Sequence, residues 1–138
     1  MDLQNTEDRI RDLEQEQGFN EKYIRDLLHK SNIKFVREKK FKECGRMPFD
    51  FYLPEYNALV EFDGKFHFDK TSLRNDESYL SQILNDREKN EYTKLKNIKL
   101  IRISYTNLDN IESELMKGLD SSNQLYLSSK YPNEGWNK

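Results

Sequence analysis

The chain has 138 residues, enough for one domain with a single hydrophobic core. About a third of it is hydrophobic (35%) and a third charged (35%), with eight Tyr and eight Phe, a balance that excludes an intrinsically disordered composition. No apolar run approaches the roughly 18 residues of a membrane span, so no membrane partner is expected. Cys44 is the sole cysteine, which excludes an intramolecular disulfide and a cysteine-built zinc site and suits a reducing cytoplasm.

The net charge of −2 argues against indiscriminate nucleic-acid binding, but the charge is unevenly spread. Residues 1–18 hold six acids against Arg9 and Arg11. Residues 30–46 hold seven bases (Lys30, Lys34, Arg37, Lys39, Lys40, Lys42 and Arg46) against Glu38 and Glu43. Such a basic patch suits a phosphate backbone, although lysines on a sheet edge also serve to block edge pairing.

Residues 6–16 predict a helix with a thin stripe of Ile10 and Leu13, ended by Gly18, and 1–18 reads as an acidic appendage expected to be neither a secretory signal nor a transit peptide. Asn20 is the expected N-cap of a helix over 21–31 with Ile24, Leu27 and Leu28 buried and Glu21 beside its inward face. Ile33 to Phe41 reads as a strand. Two alternating runs, Met47 to Leu53 and Ala58 to Asp63, flank a Pro54 to Asn57 turn and predict a hairpin. Period-two alternation puts Phe49, Phe51 and Leu53 on one face and Asp50 and Tyr52 on the other. Ala58, Val60 and Phe62 oppose Leu59, Glu61 and Asp63 in the same way. A turn centred near Glu55 and Tyr56 brings Asp50 beside Glu61.

Gly64 ends that strand, and a loop follows to about Ser78, carrying Lys65, His67, Lys70 and Arg74. A helix is expected over 79–96, with Tyr79, Ile83, Asp86 and Asn90 on one stripe and Lys89 next to Asp86. Ile98 to Ile103 reads as a central strand. Thr106 or Asn107 is the expected cap of a last helix whose stripe is Leu108, Ile111, Leu115 and Leu119. The domain is thus expected over 19–119, and the tail 120–138, with the lone Trp136, has no assignment. This order predicts an α/β (α+β) fold: a mixed sheet of about four strands with helices on both sides.

Asp50, Glu61 and Asp63 on one patch of sheet, followed by His67, repel one another and raise one another's pKa. A divalent cation is the usual compensation, and Asp/Glu oxygens suit hard ions such as Mg²⁺ or Mn²⁺. Each residue alone has an ordinary reading as a turn, strand-surface or helix-surface group. Together they point to phosphodiester chemistry.

The run Pro48-Phe49-Asp50-Phe51-Tyr52-Leu53-Pro54, the run Glu61-Phe62-Asp63-Gly64-Lys65-Phe66-His67, the set Asp86-Arg87-Glu88-Lys89-Asn90 and the strand Leu100-Ile101-Arg102-Ile103 together resemble the PD-(D/E)XK nuclease superfamily. They are closest in pattern to its very-short-patch-repair-like branch, which includes phage-borne homing endonucleases with an EDxHD site. The resemblance covers about residues 20–117. It implies a restriction-endonuclease-like core and a Mg²⁺- or Mn²⁺-dependent endonuclease acting on DNA, encoded by a phage or mobile element. Asp50 and Asp63 become metal carboxylates, with Glu61 as a further ligand. His67 becomes the base or the group that positions water or phosphate. Glu21 and Asp86 become the helix acids, and Lys89 a phosphate contact or a support for Asp86. Apart from the resemblance, the local basic charge makes Arg37, Lys39, Lys40, Lys42, Arg46, Lys65, Lys70 and Arg74 the expected nucleic-acid contacts. The lysine of the wider superfamily, two residues after Glu61, is replaced by Asp63, which shifts water activation to His67 or to a substitute such as Lys65 or Lys89. With no separate DNA-reading domain, specificity must be weak, lie in loops, or come from a homodimer or partner protein. A non-catalytic nucleic-acid- or protein-binding factor on the same fold, and an RNA-cleaving enzyme, are the rival readings.

Overall fold

A computed structural model describes residues 20–44, 47–64 and 76–132. The expected helix over 6–16, Trp136, His67, Arg46, Lys65, Lys70 and Arg74 lie outside the described residues.

Helix α1 spans 20–30, so Asn20, expected as its cap, already lies in the helix. Strand β1 is Val36–Lys39, β2 Phe49–Leu53, β3 Ala58–Asp63, β4 Lys99–Ser104 and β5 Leu125–Leu127. Helix α2 is Asp76–Leu95 and α3 Ile111–Asp120. The five strands form one mixed sheet in the order β1-β2-β3-β4-β5. The first two pairings are antiparallel and the last two parallel. α2 and α3 are therefore the crossovers that parallel neighbours require. The fold is of the expected class, but with a fifth strand: β5 falls in the tail that the sequence left without assignment.

Two helices end by the same device. α1 stops at Asn32 (φ 57) with Ile33 N–H donating to Leu28 O at 2.9 Å, and α2 stops at Asn97 (φ 55) with Ile98 N–H donating to Thr93 O at 2.9 Å. Asparagine tolerates the left-handed backbone that satisfies the last carbonyls, and the following isoleucine turns back to the core. The hairpin turn also uses a left-handed asparagine, Asn57 (φ 47). Its register, Leu53 opposite Ala58 and Phe51 opposite Val60, is the one expected from the alternation.

The sheet is covered on both faces. On one, Ile24, Leu27 and Leu28 of α1 and Ile111 and Leu115 of α3 pack on Phe51, Leu53, Val60, Phe62, Ile101 and Ile103. On the other, Cys44, Phe49, Leu59, Ile98 and Leu100 form a smaller core to which Tyr92 of α2 adds. Leu108, expected on the stripe of the last helix, is exposed instead. It lies in the tight 3-10 turns of Tyr105–Asn110, which Ser104 caps, and the last helix starts later than expected, with Asn110 rather than Thr106 or Asn107 at its N-cap position.

Helix α3 approaches β4 closely at Gly118. A Cβ there would stand 2.8 Å from Ile101 Cγ2 and 3.0 Å from Cγ1, inside a fully buried contact. Gly118→Ala gains about 1 kcal/mol of helix propensity, but overpacking costs about 1–3 kcal/mol. A net loss of about 1 kcal/mol is expected in chemical denaturation, and a more stable variant would contradict this packing.

Candidate active site

Strand β3 supplies the first charged groups. Glu61 and Asp63 share the face of Leu59, towards α2, and are 3% and 0% exposed. The parallel register sets Glu61 beside Arg102 of β4. Arg102 is itself fully buried. Its Nη1 donates to Asp63 Oδ1 (3.0 Å) and Oδ2 (3.1 Å), its Nε to Asn90 Oδ1 (2.9 Å), and its Nη2 to the Asp86 carbonyl (3.3 Å). The Asp86 carboxylate stands 3.7 Å from the same guanidinium, and that of Glu61 4.0 Å. Burial opposes the Arg102 charge, but Asp63, Asp86, Tyr131 and Glu61 outweigh it and hold the group above its ordinary value. Tyr131, beyond β5, donates its hydroxyl to Asp63 Oδ2. Burial first, then Asp63, pushes that phenol well up, so it stays a donor.

Lys89 of α2 forms the second cationic contact. Its Nζ lies 3.0 Å from Glu61 Oε2, donates to Pro48 O at 2.8 Å, and sits 5.1 Å from the Phe49 ring centre. Burial raises the Glu61 carboxyl in spite of Lys89 and Arg102.

Asp50 completes the group by breaking the sheet ladder. Its amide N–H donates to Glu61 Oε1 (2.8 Å), and its Oδ2 accepts the Phe62 N–H (2.8 Å). Two main-chain donors of the β2–β3 pair are thus turned onto side-chain carboxylates. Glu21 of α1 lies close enough to Asp50 for the two carboxyls to interact. Burial, then Glu61, then Glu21 push Asp50 well above the carboxylate range, against the Phe62 N–H.

Asp50, Glu61 and Glu21 therefore come together, with Lys89 on Glu61. Asp63 and Asp86 gather instead around Arg102. Asp63, expected to open onto a metal, has both oxygens engaged by Arg102 and Tyr131. Among the described residues, five carboxyls in this network face two cations, Lys89 and Arg102. Among them, too, no three acidic, histidine or cysteine side chains form a ready-made metal cage. Arg37, Lys39, Lys40 and Lys42 lie on or just after the edge strand β1, with all but the half-buried Lys39 exposed.

Arg102 and Tyr131 were not among the expected site residues. A lone arginine inside Ile98 to Ile103 is a signal, because a charge in a buried strand demands partners. Tyr131 carries none. No protein-family model, curated protein or solved structure matches the chain.

Proposed function

We propose that this protein is a metal-dependent endonuclease that hydrolyses DNA phosphodiesters, with Asp50 and Glu61 as the residues that hold a Mg²⁺ or Mn²⁺ ion. One observation carries the reading: two adjacent, raised carboxyls are held in place by main-chain N–H groups, with Glu21 against Asp50, at an electrostatic cost that a divalent cation would offset. The donor set fits. Both groups offer hard oxygens, and Mg²⁺ commonly takes one or two carboxylates plus waters and substrate phosphate rather than a full protein cage. The resemblance to PD-(D/E)XK nucleases, which implies Asp50 and Asp63 as metal carboxylates with Glu61 as a further ligand, supports a divalent-metal site at this patch of sheet.

When bound, the cation supplies Lewis-acid polarisation of the phosphoryl group and neutralises charge in the transition state. The chain's own residues do the rest. Lys89, fixed between Glu61 and Pro48 O, places a positive charge where a phosphate oxygen gains negative charge. His67 is the proposed acceptor of the proton that the attacking water gives up as its oxygen bonds phosphorus and the bond to the leaving oxygen breaks. Asp63 and Asp86 keep Arg102 charged, and Arg102 in turn limits the ionisation cost at Glu61. Arg37, Lys39, Lys40 and Lys42 attract the backbone without reading sequence, so binding weakens with salt.

Purified protein incubated with supercoiled plasmid is expected to yield relaxed or linear product with Mg²⁺ or Mn²⁺ and none with EDTA. Parallel single-stranded DNA and RNA substrates decide the nucleic acid. Absence of cleavage of all three with either metal would overturn the reading.

A further inference from the structure

Strand β1 holds a non-glycine residue in the left-handed region. Glu38 has φ 53. The other such residues among those described, Asn32, Asn57 and Asn97, are asparagines at turns. Glutamate has no such tolerance, because its Cβ is pressed towards the following carbonyl oxygen. A conformation of this kind persists only where its surroundings impose it, and it concentrates at functional sites.

Its position is specific. The pairs Arg37–Phe51 and Lys39–Phe49 bracket it, so Glu38 stands across from Asp50. Residues two apart in a strand ordinarily share a face. Here they do not. The Arg37 guanidinium lies 5.7 Å from the Phe51 ring centre, on the α1/α3 side. The Lys39 ammonium lies 5.4 Å and 5.8 Å from the Phe41 and Tyr52 rings, on the α2 side. β2 changes face at the same level, with Phe51 in the larger core and Phe49 in the smaller one, beneath Lys89. Between them Asp50 leaves the regular ladder, meets Glu21 of α1, and exchanges bonds with Glu61 and Phe62.

We infer that Glu38 is a positioning residue. Its left-handed backbone turns β1, and β2 with it, so that Asp50 is set between Glu61 and Glu21, and the cations Arg37 and Lys39 fall on opposite faces of the sheet edge at that level. The inference rests on the nuclease reading above. The exposed Glu38 carboxylate takes no part; the backbone conformation does.

A substitution series separates these. Glu38→Gly and Glu38→Asn accept a left-handed backbone, so kcat stays near the wild-type value and Tm rises. Glu38→Gln behaves as wild type. Glu38→Val resists the turn, and kcat falls at least about tenfold through misplacement of Asp50, with a smaller change in KM. In NMR spectra, the HN–Hα coupling at residue 38 moves towards the extended-strand value in Glu38→Val, and the Arg37–Phe51 and Lys39–Tyr52 contacts are no longer on opposite faces. Should Glu38→Val not fold, Glu38→Thr, also β-branched, carries the same test. Wild-type kcat in Glu38→Val or Thr, or a loss in Glu38→Gln equal to that in Glu38→Val, would overturn the inference. If the wild-type chain cleaves no nucleic acid, the nuclease reading fails separately, and Mn²⁺ affinity decides the positioning claim: weaker in Val and unchanged in Gly and Asn supports it, equal throughout overturns it.

Discussion

Arg102→Met is expected to destabilise the fold by about 3–5 kcal/mol, the cost of removing one partner from a buried ion pair. The side chain is fully buried in β4, and its loss leaves Asp63, also fully buried, without the Nη1 that donates to both its oxygens. Asp86 and Glu61 lose a countercharge at the same time. Methionine fills much of the volume but offers none of the donors, so the penalty is electrostatic rather than a cavity. The double variant Arg102→Met/Asp63→Asn should recover part of the loss, since the stranded carboxylate is gone. Urea unfolding of the three proteins measures both effects. A single-variant loss below about 1 kcal/mol would mean that the network contributes no more than a surface pair.

The second large effect is expected at Asp50, where function and stability should move in opposite directions. Asp50→Asn keeps an oxygen for the Phe62 N–H but cannot ionise, so cleavage should fall by at least about 100-fold while stability at neutral pH rises on the order of 1 kcal/mol. The pH dependence follows from the direction of the shift. Burial, Glu61 and Glu21 raise Asp50, so the folded chain keeps this proton to a higher pH than the unfolded chain does. Stability from this group is complete below the ordinary carboxylate range and falls as pH rises through the window up to the raised folded value. Glu61, raised mainly by burial, acts in the same sense. The advantage of Asp50→Asn is therefore greatest above that window and disappears on acidification below the ordinary carboxylate range. Thermal unfolding of both proteins across a pH series at fixed ionic strength reads this, and a variant less stable at neutral pH would contradict the assigned cost.

The hairpin and its carboxylate pair were legible because alternation and a short turn leave one register: with Leu53 opposite Ala58, Asp50 falls beside Glu61. The split between Phe49 and Phe51 was not legible, since it depends on a left-handed glutamate on another strand, and nothing in the sequence marks Glu38 for that conformation. Strand β5 has three half-buried residues, too few for an alternation to show. The engagement of Asp63 escaped for a related reason: one of its partners, Tyr131, is 68 residues away and reaches it only because β5 pairs with β4. Local patterning set which acids face which side of the sheet, while the long-range partners decided which of them are already engaged.

Calorimetric titration of Mn²⁺ into the wild-type chain and into Asp50→Asn and Glu61→Gln bears most directly on why these carboxyls are kept together. Saturable binding to the wild type, lost or weakened at least about tenfold in either variant, is the expected result. Equal Mn²⁺ binding in all three proteins, or none in the wild type, would contradict a divalent cation as the reason for the pair.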